Sequence, residues 1–184
     1  MDNKIGQEVA QRILKKGGAG ILPTDTIYGL VGSALSKKAV ARIYRLRRRN
    51  QKKPMIVLIG SLYDLKKFAV KLAPETKKIL NKFWPGKASV ILPCAPKKFS
   101  YLHRGTKTLA FRLPRKKDLR TLLKKTGPLV APSANVEGKP PATTVKKARK
   151  YFGDKVDFYV DGGTMKKNPS MVIKIESGVA VRLR

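Results

Sequence analysis

Acidic side chains are scarce in this chain: 11 Asp and Glu stand against 42 Lys and Arg, a formal net charge of +31 over 184 residues. An excess of that size attracts polyanions by neutralising phosphates and releasing their counterions. RNA, DNA, nucleotides and anionic membrane surfaces are the partners it favours. A general basic bias of the source proteome is the plainer origin of the same excess, because the charge is spread along the chain rather than collected in a tail. Cysteine and histidine are scarcer still. Cys94 is the only cysteine, which rules out an internal disulfide and a cysteine-built zinc cluster. It lies beside the apolar run Val90 to Leu92, where a small buried residue is expected rather than a nucleophile. His103 is the only histidine, so histidine metal clusters fall away and a Ser-His-Asp triad would rest on one candidate. Long apolar runs are missing: Met55 to Gly60 is typical of the longest, far short of a bilayer. The N-terminus shows no signal-peptide core. A cytoplasmic protein with no membrane partner is expected. Neither GxxxxGK[ST] nor GxGxxG occurs, so a Walker-type nucleotide loop is excluded, and Gly17-Gly18 and Gly162-Gly163 read as turns.

What is present is a globular chain. Apolar residues make up 42% of it, and its length fits one domain spanning 1–184. Ile5, Val9, Ile13 and Leu14 recur at helical spacing over residues 4–16, stopped by Gly17-Gly18. Ile21-Leu22 starts a strand. Ser36 can cap a helix with Val40, Ile43, Tyr44 and Leu46 on its apolar face. Met55 to Ile59 reads as a buried strand. Leu62 to Leu72 and Glu75 to Phe83 suit two short helices split by Pro74. Ser89 to Leu92 and Thr108 to Leu113 read as strands. Leu119, Leu122 and Leu123 mark a helix ending at Gly127, and Leu129 to Ala131 is a short strand. Thr144 can cap a helix bearing Val145, Ala148 and Phe152. Phe158 to Val160, Met171 to Ile175 and Val179 to Leu183 finish as strands. Without a clean βαβ repeat, this order favours an α/β domain built on a twisted mixed sheet with flanking helices.

The candidate chemistry is concentrated in a few polar stretches at strand ends. Pro23-Thr24-Asp25-Thr26-Ile27-Tyr28-Gly29-Leu30 follows an apolar segment and makes a polar lip, the place where ligands bind in open α/β sheets. Asp25 fits a general base or a magnesium ligand, and equally an Asx-type turn. Arg45 to Lys53 carries six cations in nine residues with no acid. Arg47 and Arg49, two apart, would project to one side of an extended segment, and paired guanidiniums grip phosphate oxygens. Pro132-Ser133-Ala134-Asn135 places a hydroxyl and an amide just past a strand, suited to a small polar ligand or a phosphate, though such a loop is commonly only a turn.

In order and spacing, Thr24 to Leu30, Arg47-Arg48-Arg49 with Pro54-Met55, Phe83-Trp84-Pro85-Gly86, Arg112-Leu113-Pro114 and Ala131 to Asn135 resemble the YrdC-like family of threonylcarbamoyl-AMP synthases. The likeness runs from about Gly17 to Arg184 and matches the short, single-domain form. It implies a twisted mixed sheet around a concave, positively charged cavity. It also implies a nucleotidyltransferase that joins L-threonine, bicarbonate and ATP into threonylcarbamoyl-AMP and pyrophosphate, usually with Mg2+. The product would feed threonylcarbamoyladenosine formation in tRNA through downstream transfer proteins, and RNA binding, to tRNA or double strands, would accompany it. No protein nucleophile or resident metal ligand is required.

Carried over by position, the resemblance assigns Thr26, Arg112, Ser133 and Ser170 to threonine. It assigns Arg47, Arg49, Lys53, Thr108, Asn135, Thr143 and Arg182 to ATP. The chain departs from the family pattern where Arg47-x-Arg49 replaces Lys-x-Arg, where Asn50 replaces a proline, and where Leu58 replaces a histidine on the threonine side. The basic excess and the altered pair motivate an alternative, a double-stranded RNA-binding member without synthase activity.

Overall fold

The computed structural model describes residues 3–166 and 168–184, with side chains from residue 6 onward. In chain order the elements are α1 (Asn3–Lys15), β1 (Ala19–Pro23), β2 (Tyr28–Ser33), α2 (Lys37–Arg47), β3 (Val57–Leu58), a 3-10 helix (Leu62–Phe68) and α3 (Pro74–Phe83). There follow β4 (Ala88–Pro93), α4 (Ser100–His103), β5 (Thr108–Arg112), α5 (Lys117–Thr126), β6 (Leu129–Val130), α6 (Val145–Phe152), β7 (Phe158–Tyr159), β8 (Met171–Glu176) and β9 (Val179–Arg182). Among the described residues nine strands join in one sheet, ordered β7-β1-β2-β6-β3-β5-β4-β8-β9. Pairing is parallel at β7-β1, β3-β5 and β4-β8 and antiparallel elsewhere. This is the mixed sheet with flanking helices that the element order predicts. No described helix is long and apolar enough to cross a membrane.

Three local expectations are corrected. Tyr28 to Ser33 forms a strand where the sequence reads only as a polar lip and its continuation. Its glycines hide it, and Gly32 is there for close approach: a Cβ at that position would lie 3.0 Å from Ile43 Cδ1 of α2. Leu62 to Leu72 is not an α-helix but a shorter 3-10 helix ending at Phe68, and Pro74 opens α3 at its first turn, the helix position that tolerates proline. In α1 the buried face is Ala10 and Leu14, while Val9 is exposed. Ile5, expected on that face, lies outside the residues whose side chains are described. Elsewhere caps act as read: Ser36 accepts from the Ala39 amide and Thr144 from the Lys147 amide.

The core divides by sheet face. Strand alternation sends Val57, Val130, Val90 and Phe111 to one side, into a cluster with Val40, Ile43, Leu80 and Phe152 of the helices. Leu22, Val31, Leu58 and Leu129 go to the other side, under Leu14 of α1 and Leu119 and Leu123 of α5. That second face is covered only in part. Over β5, β4 and β8 its residues Thr108, Ala110, Ile91 and Val172 remain half-buried, and the uncovered region is a cavity.

Tyr28 ties the last irregular stretch to the sheet. Its ring is fully buried, and its hydroxyl accepts from the Gly162 amide at 2.8 Å and donates to the Gly163 carbonyl at 2.8 Å. Burial pushes the phenol up to about 12, helped by neighbouring Asp161. Tyr28→Phe keeps the ring and leaves two backbone groups without their partner. It should cost about 1–3 kcal/mol, measured as a lower urea midpoint with an unchanged slope.

Candidate functional site

The cavity has a volume of about 450 Å3, within the range of small-molecule sites. The β1-β2 turn forms one wall, and its hydroxyls are arranged in a fixed direction. Thr24 Oγ1 donates to the Ile27 carbonyl at 2.7 Å, so its one proton is spent. In the 3.0 Å contact between Thr24 and Thr26 the donor is therefore Thr26. Arg112 Nη1 in turn donates to Thr26 Oγ1 at 2.9 Å. The Thr26 hydroxyl thus faces the cavity as an acceptor only, suited to an incoming N–H group such as an ammonium.

Arg112 comes from the end of β5 and is 4% exposed. Its Nη2 lies 3.3 Å from Asp25 Oδ1, close enough for charge attraction but not aligned as a hydrogen bond, and its Nε has no partner. Asp25 Oδ2 accepts from the Arg115 amide at 3.0 Å. Burial pulls the Arg112 guanidinium below its usual range, and Asp25 opposes that pull. Asp25 thus faces the Arg112 guanidinium and the Arg115 amide rather than making a local turn bond.

The loop after β6 forms the second wall. It is hung on β2 by the Leu30 amide to the Pro132 carbonyl and by the Ala134 amide to the Tyr28 carbonyl. Arg47, buried at the end of α2, crosses to it: Nε donates to the Asn135 carbonyl at 3.0 Å, and Nη2 to Asn135 Oδ1 at 3.2 Å and Ser133 Oγ at 3.3 Å. Burial and neighbouring Arg49 bring its guanidinium down to about 10, against the pull of Glu137. Arg48 adopts the left-handed conformation that ends the helix, which turns the chain so that half-buried Arg49 re-enters the cavity. Arg49 is held by the carbonyls of Lys53 (3.2 Å) and Pro54 (2.8 Å). On the far side, Ser170 Oγ and Ser89 Oγ lie 2.9 Å apart, and Arg184 donates to the Ser170 carbonyl at 3.1 Å.

Of the residues singled out by sequence, Thr26, Arg47, Arg49, Thr108, Arg112, Ser133 and Ser170 line this one cavity. Asn135 stands behind it, donating to the Val136 and Lys139 carbonyls while it accepts from Arg47. Lys53 points outward to Glu137 at 3.1 Å. Thr143 lies outside the lining and takes the Met165 amide on its carbonyl. Arg182 is exposed on β9, and Arg184, two residues on, lines the cavity instead. That spacing of two was the available signal for the residue sequence reasoning missed. Leu58 is fully buried against α5 rather than facing ligand space. Cys94 is buried, its thiol pushed up to about 11 by desolvation, and His103 is buried with Nδ1 accepting the Gly105 amide. Four arginines and no carboxylate line the cavity among the described residues.

Comparison with known proteins gives concordant results. The Sua5/YciO/YrdC family model, described as "Telomere recombination", matches residues 12–184. A putative threonylcarbamoyl-AMP synthase of Mycobacterium tuberculosis is 29% identical over 170 residues, covering 92% of this chain and 78% of that one. The threonylcarbamoyl-AMP synthase of Nitrosococcus oceani is 31% identical over 176 residues, covering 95% of each. The crystal structure of Pyrococcus abyssi Sua5 complexed with L-threonine has a TM-score of 0.86 and 30% identity, covering 100% of this chain and 54% of that chain. This chain therefore spans about half the length of that archaeal protein.

Proposed function

Because the chain belongs to the Sua5/YciO/YrdC family, we propose that it is a threonylcarbamoyl-AMP synthase, consuming L-threonine, bicarbonate and ATP and releasing pyrophosphate. The observation that carries this reading is the pairing of buried Arg112 with Thr26 on a cavity that holds three further arginines and no carboxylate. The Arg112 Nε, without a protein partner, suits the carboxylate of an amino acid, and the acceptor face of Thr26 suits its nitrogen. Ser133 and Ser170 close the threonine side. Arg49, Thr108 and Arg184 take the nucleotide, and Arg47 and Asn135 act as positioning residues that hold Ser133 in place.

The chemistry asks little else of the protein. The threonine ammonium first gives a proton to solvent, and the neutral amine and bicarbonate then form a carbamate with loss of water. A carbamate oxygen then bonds to the α-phosphorus of ATP as the bond from that phosphorus to the bridging oxygen breaks, and pyrophosphate leaves with the electron pair. Charge gathers on the leaving pyrophosphate, where fixed guanidiniums stabilise it. Holding the reactants together supplies most of the remaining acceleration. No side chain needs to become a nucleophile, in accord with the buried Cys94 and His103. Mg2+ finds no carboxylate donor in the lining, and no cluster of three or more acidic, histidine or cysteine side chains occurs among the described residues. The ion belongs to this scheme as the counter-ion that ATP brings, not as a protein-held cofactor. Cytoplasmic tRNA-modifying transfer proteins would consume the adenylate. The RNA-binding alternative without synthesis is not favoured, since the named relatives are synthases.

The test is pyrophosphate release from ATP and bicarbonate, with and without L-threonine. Release that depends on threonine is expected. A folded protein that shows none across magnesium and salt concentrations, or the same rate without threonine, would sink the proposal.

A further inference from the structure

Arg49 enters the cavity at the head of a turn, residues 50–53, that begins as soon as α2 has ended. Whatever fixes that turn fixes Arg49. Within it, the Lys53 amide donates to the Asn50 carbonyl at 3.1 Å and the Lys52 amide to Asn50 Oδ1 at 2.9 Å. On its inner side the Lys53 carbonyl takes two donors, Arg49 Nε at 3.2 Å and the hydroxyl of buried Tyr44 at 2.8 Å, which fills both lone pairs. Its outer side is held by a residue that follows the loop after β6. Glu137 Oε2 accepts from the Asn50 amide at 2.6 Å, and Oε1 accepts from Lys53 Nζ at 3.1 Å. The Glu137 amide in turn donates to the Arg47 carbonyl at 2.8 Å. One carboxylate therefore joins the second wall of the cavity to both ends of the turn that follows Arg49.

The ion pair with Lys53 contributes little alone, since the ammonium is exposed and water screens it. The bond from the Asn50 amide is different. Charge-assisted bonds to a carboxylate are short and strong, and this one fixes backbone rather than a mobile side chain. It exists because Asn50 stands where the family pattern has a proline, which has no N–H to give. The Asn50 amide and the Lys53 ammonium hold the carboxylate below its usual range, and the charge of Arg49 works in the same direction. We propose that Glu137 is a positioning residue, clasping the turn against the opposite wall so that the Arg49 guanidinium is preset for the nucleotide. Arg49 Nε and Nη2 are tied to the turn, while Nη1 has no hydrogen-bond partner among the described residues. The role rests on the reading of the cavity as an ATP site. Charge and geometry then pull in opposite directions. By charge alone, removing an acid close to Arg47 and Arg49 should draw a triphosphate in more tightly. If Glu137 holds the turn, its removal weakens binding instead.

The experiment titrates each protein into a fluorescent, non-hydrolysable ATP analogue and follows anisotropy, with urea midpoints measured alongside. Glu137→Ala should bind roughly 3–10-fold more weakly, the cost of ordering a freed arginine and its turn on binding. The control, Glu75→Ala, removes an exposed acid from α3 and should leave the affinity within about twofold, since distant surface charges are screened. In an Arg49→Ala background, removing Glu137 should weaken binding no further, because the two act as one unit. In the pyrophosphate assay, Glu137→Ala should raise KM for ATP and leave KM for threonine unchanged. Equal or tighter analogue binding by Glu137→Ala would overturn the proposal. So would a loss that persists in full in the Arg49→Ala background, or an equal loss in Glu75→Ala. A lowered urea midpoint with KM raised alike for both substrates would overturn it as well, by showing a general loosening. The clasp and the synthase reading fail separately. The expected pattern of analogue binding without threonine-dependent pyrophosphate release would sink the synthase and leave the clasp, whereas a wild type that binds no analogue would overturn both.

Discussion

Arg112→Met is expected to lower stability by about 3–5 kcal/mol and to abolish threonine-dependent pyrophosphate release. The stability loss follows from the geometry beneath the cavity. Asp25 and Arg112 are both below one-tenth exposed and meet at 3.3 Å. Removing the cation leaves a carboxylate with the Arg115 amide as its only hydrogen-bond donor, in a site that disfavours charge. The activity loss has a separate origin, namely the missing contacts to Thr26 and to the substrate carboxylate. The double variant Asp25→Asn/Arg112→Met separates the two effects. Taking away both charges should restore most of the stability, since buried ion pairs contribute little net against neutral replacements, while activity stays lost. Urea denaturation and the pyrophosphate assay read the two quantities independently. Full activity in either variant would remove Arg112 from the site, and an unchanged urea midpoint in the single variant would show that the buried pair has little structural weight.

Arg49→Ala should reduce kcat/KM for ATP about 10²–10³-fold with a small change in stability. Arg49 is half-buried, and its protein contacts are the carbonyls of Lys53 and Pro54, groups near the surface that water can satisfy. Its side chain lines the cavity without a salt bridge among the described residues, which leaves its charge available for a triphosphate. Arg47→Ala differs in kind. It would release Ser133 and Asn135 together and so disturb fold and binding at once. Arg49 is for that reason the cleaner probe of nucleotide contact, and unaltered ATP kinetics in Arg49→Ala would remove it from the nucleotide side.

The polar stretches that line the cavity were legible in the sequence because each is out of character for its position. Threonines and a carboxylate at a strand end, or a Ser-Ala-Asn turn after an apolar triplet, have no role in a core. The helix faces were legible by periodicity, α2 and α6 most clearly. Three things were not. Strand β2 was concealed by Gly29 and Gly32, which make a weak strand signal locally; at Gly32 α2 packs closely, with Ile43 Cδ1 3.0 Å from where a Cβ would lie. The division of the arginine run depends on where α2 ends: with Arg47 still helical and Arg48 left-handed, neither a continuous helix nor an extended segment sorts the run correctly. The assignment of Asp25 depends on a partner 87 residues away, and no local pattern reports it.

Strand β6 is two residues long, yet it stands in the middle of the sheet. Two residue pairs join it to β2 and two to β3. With its flanking residues, whose backbone adds bonds to Tyr28, Leu30, Ala34 and Ile56, it forms the seam between two slabs, β7-β1-β2 and β3-β5-β4-β8-β9. The cavity opens beside that seam and takes its lining from both slabs: Thr24, Thr26 and Gly29 from one, Thr108, Arg112 and Val172 from the other. A ligand seated there would touch both slabs at once and act as a brace across the seam. Occupancy and rigidity would then rise together.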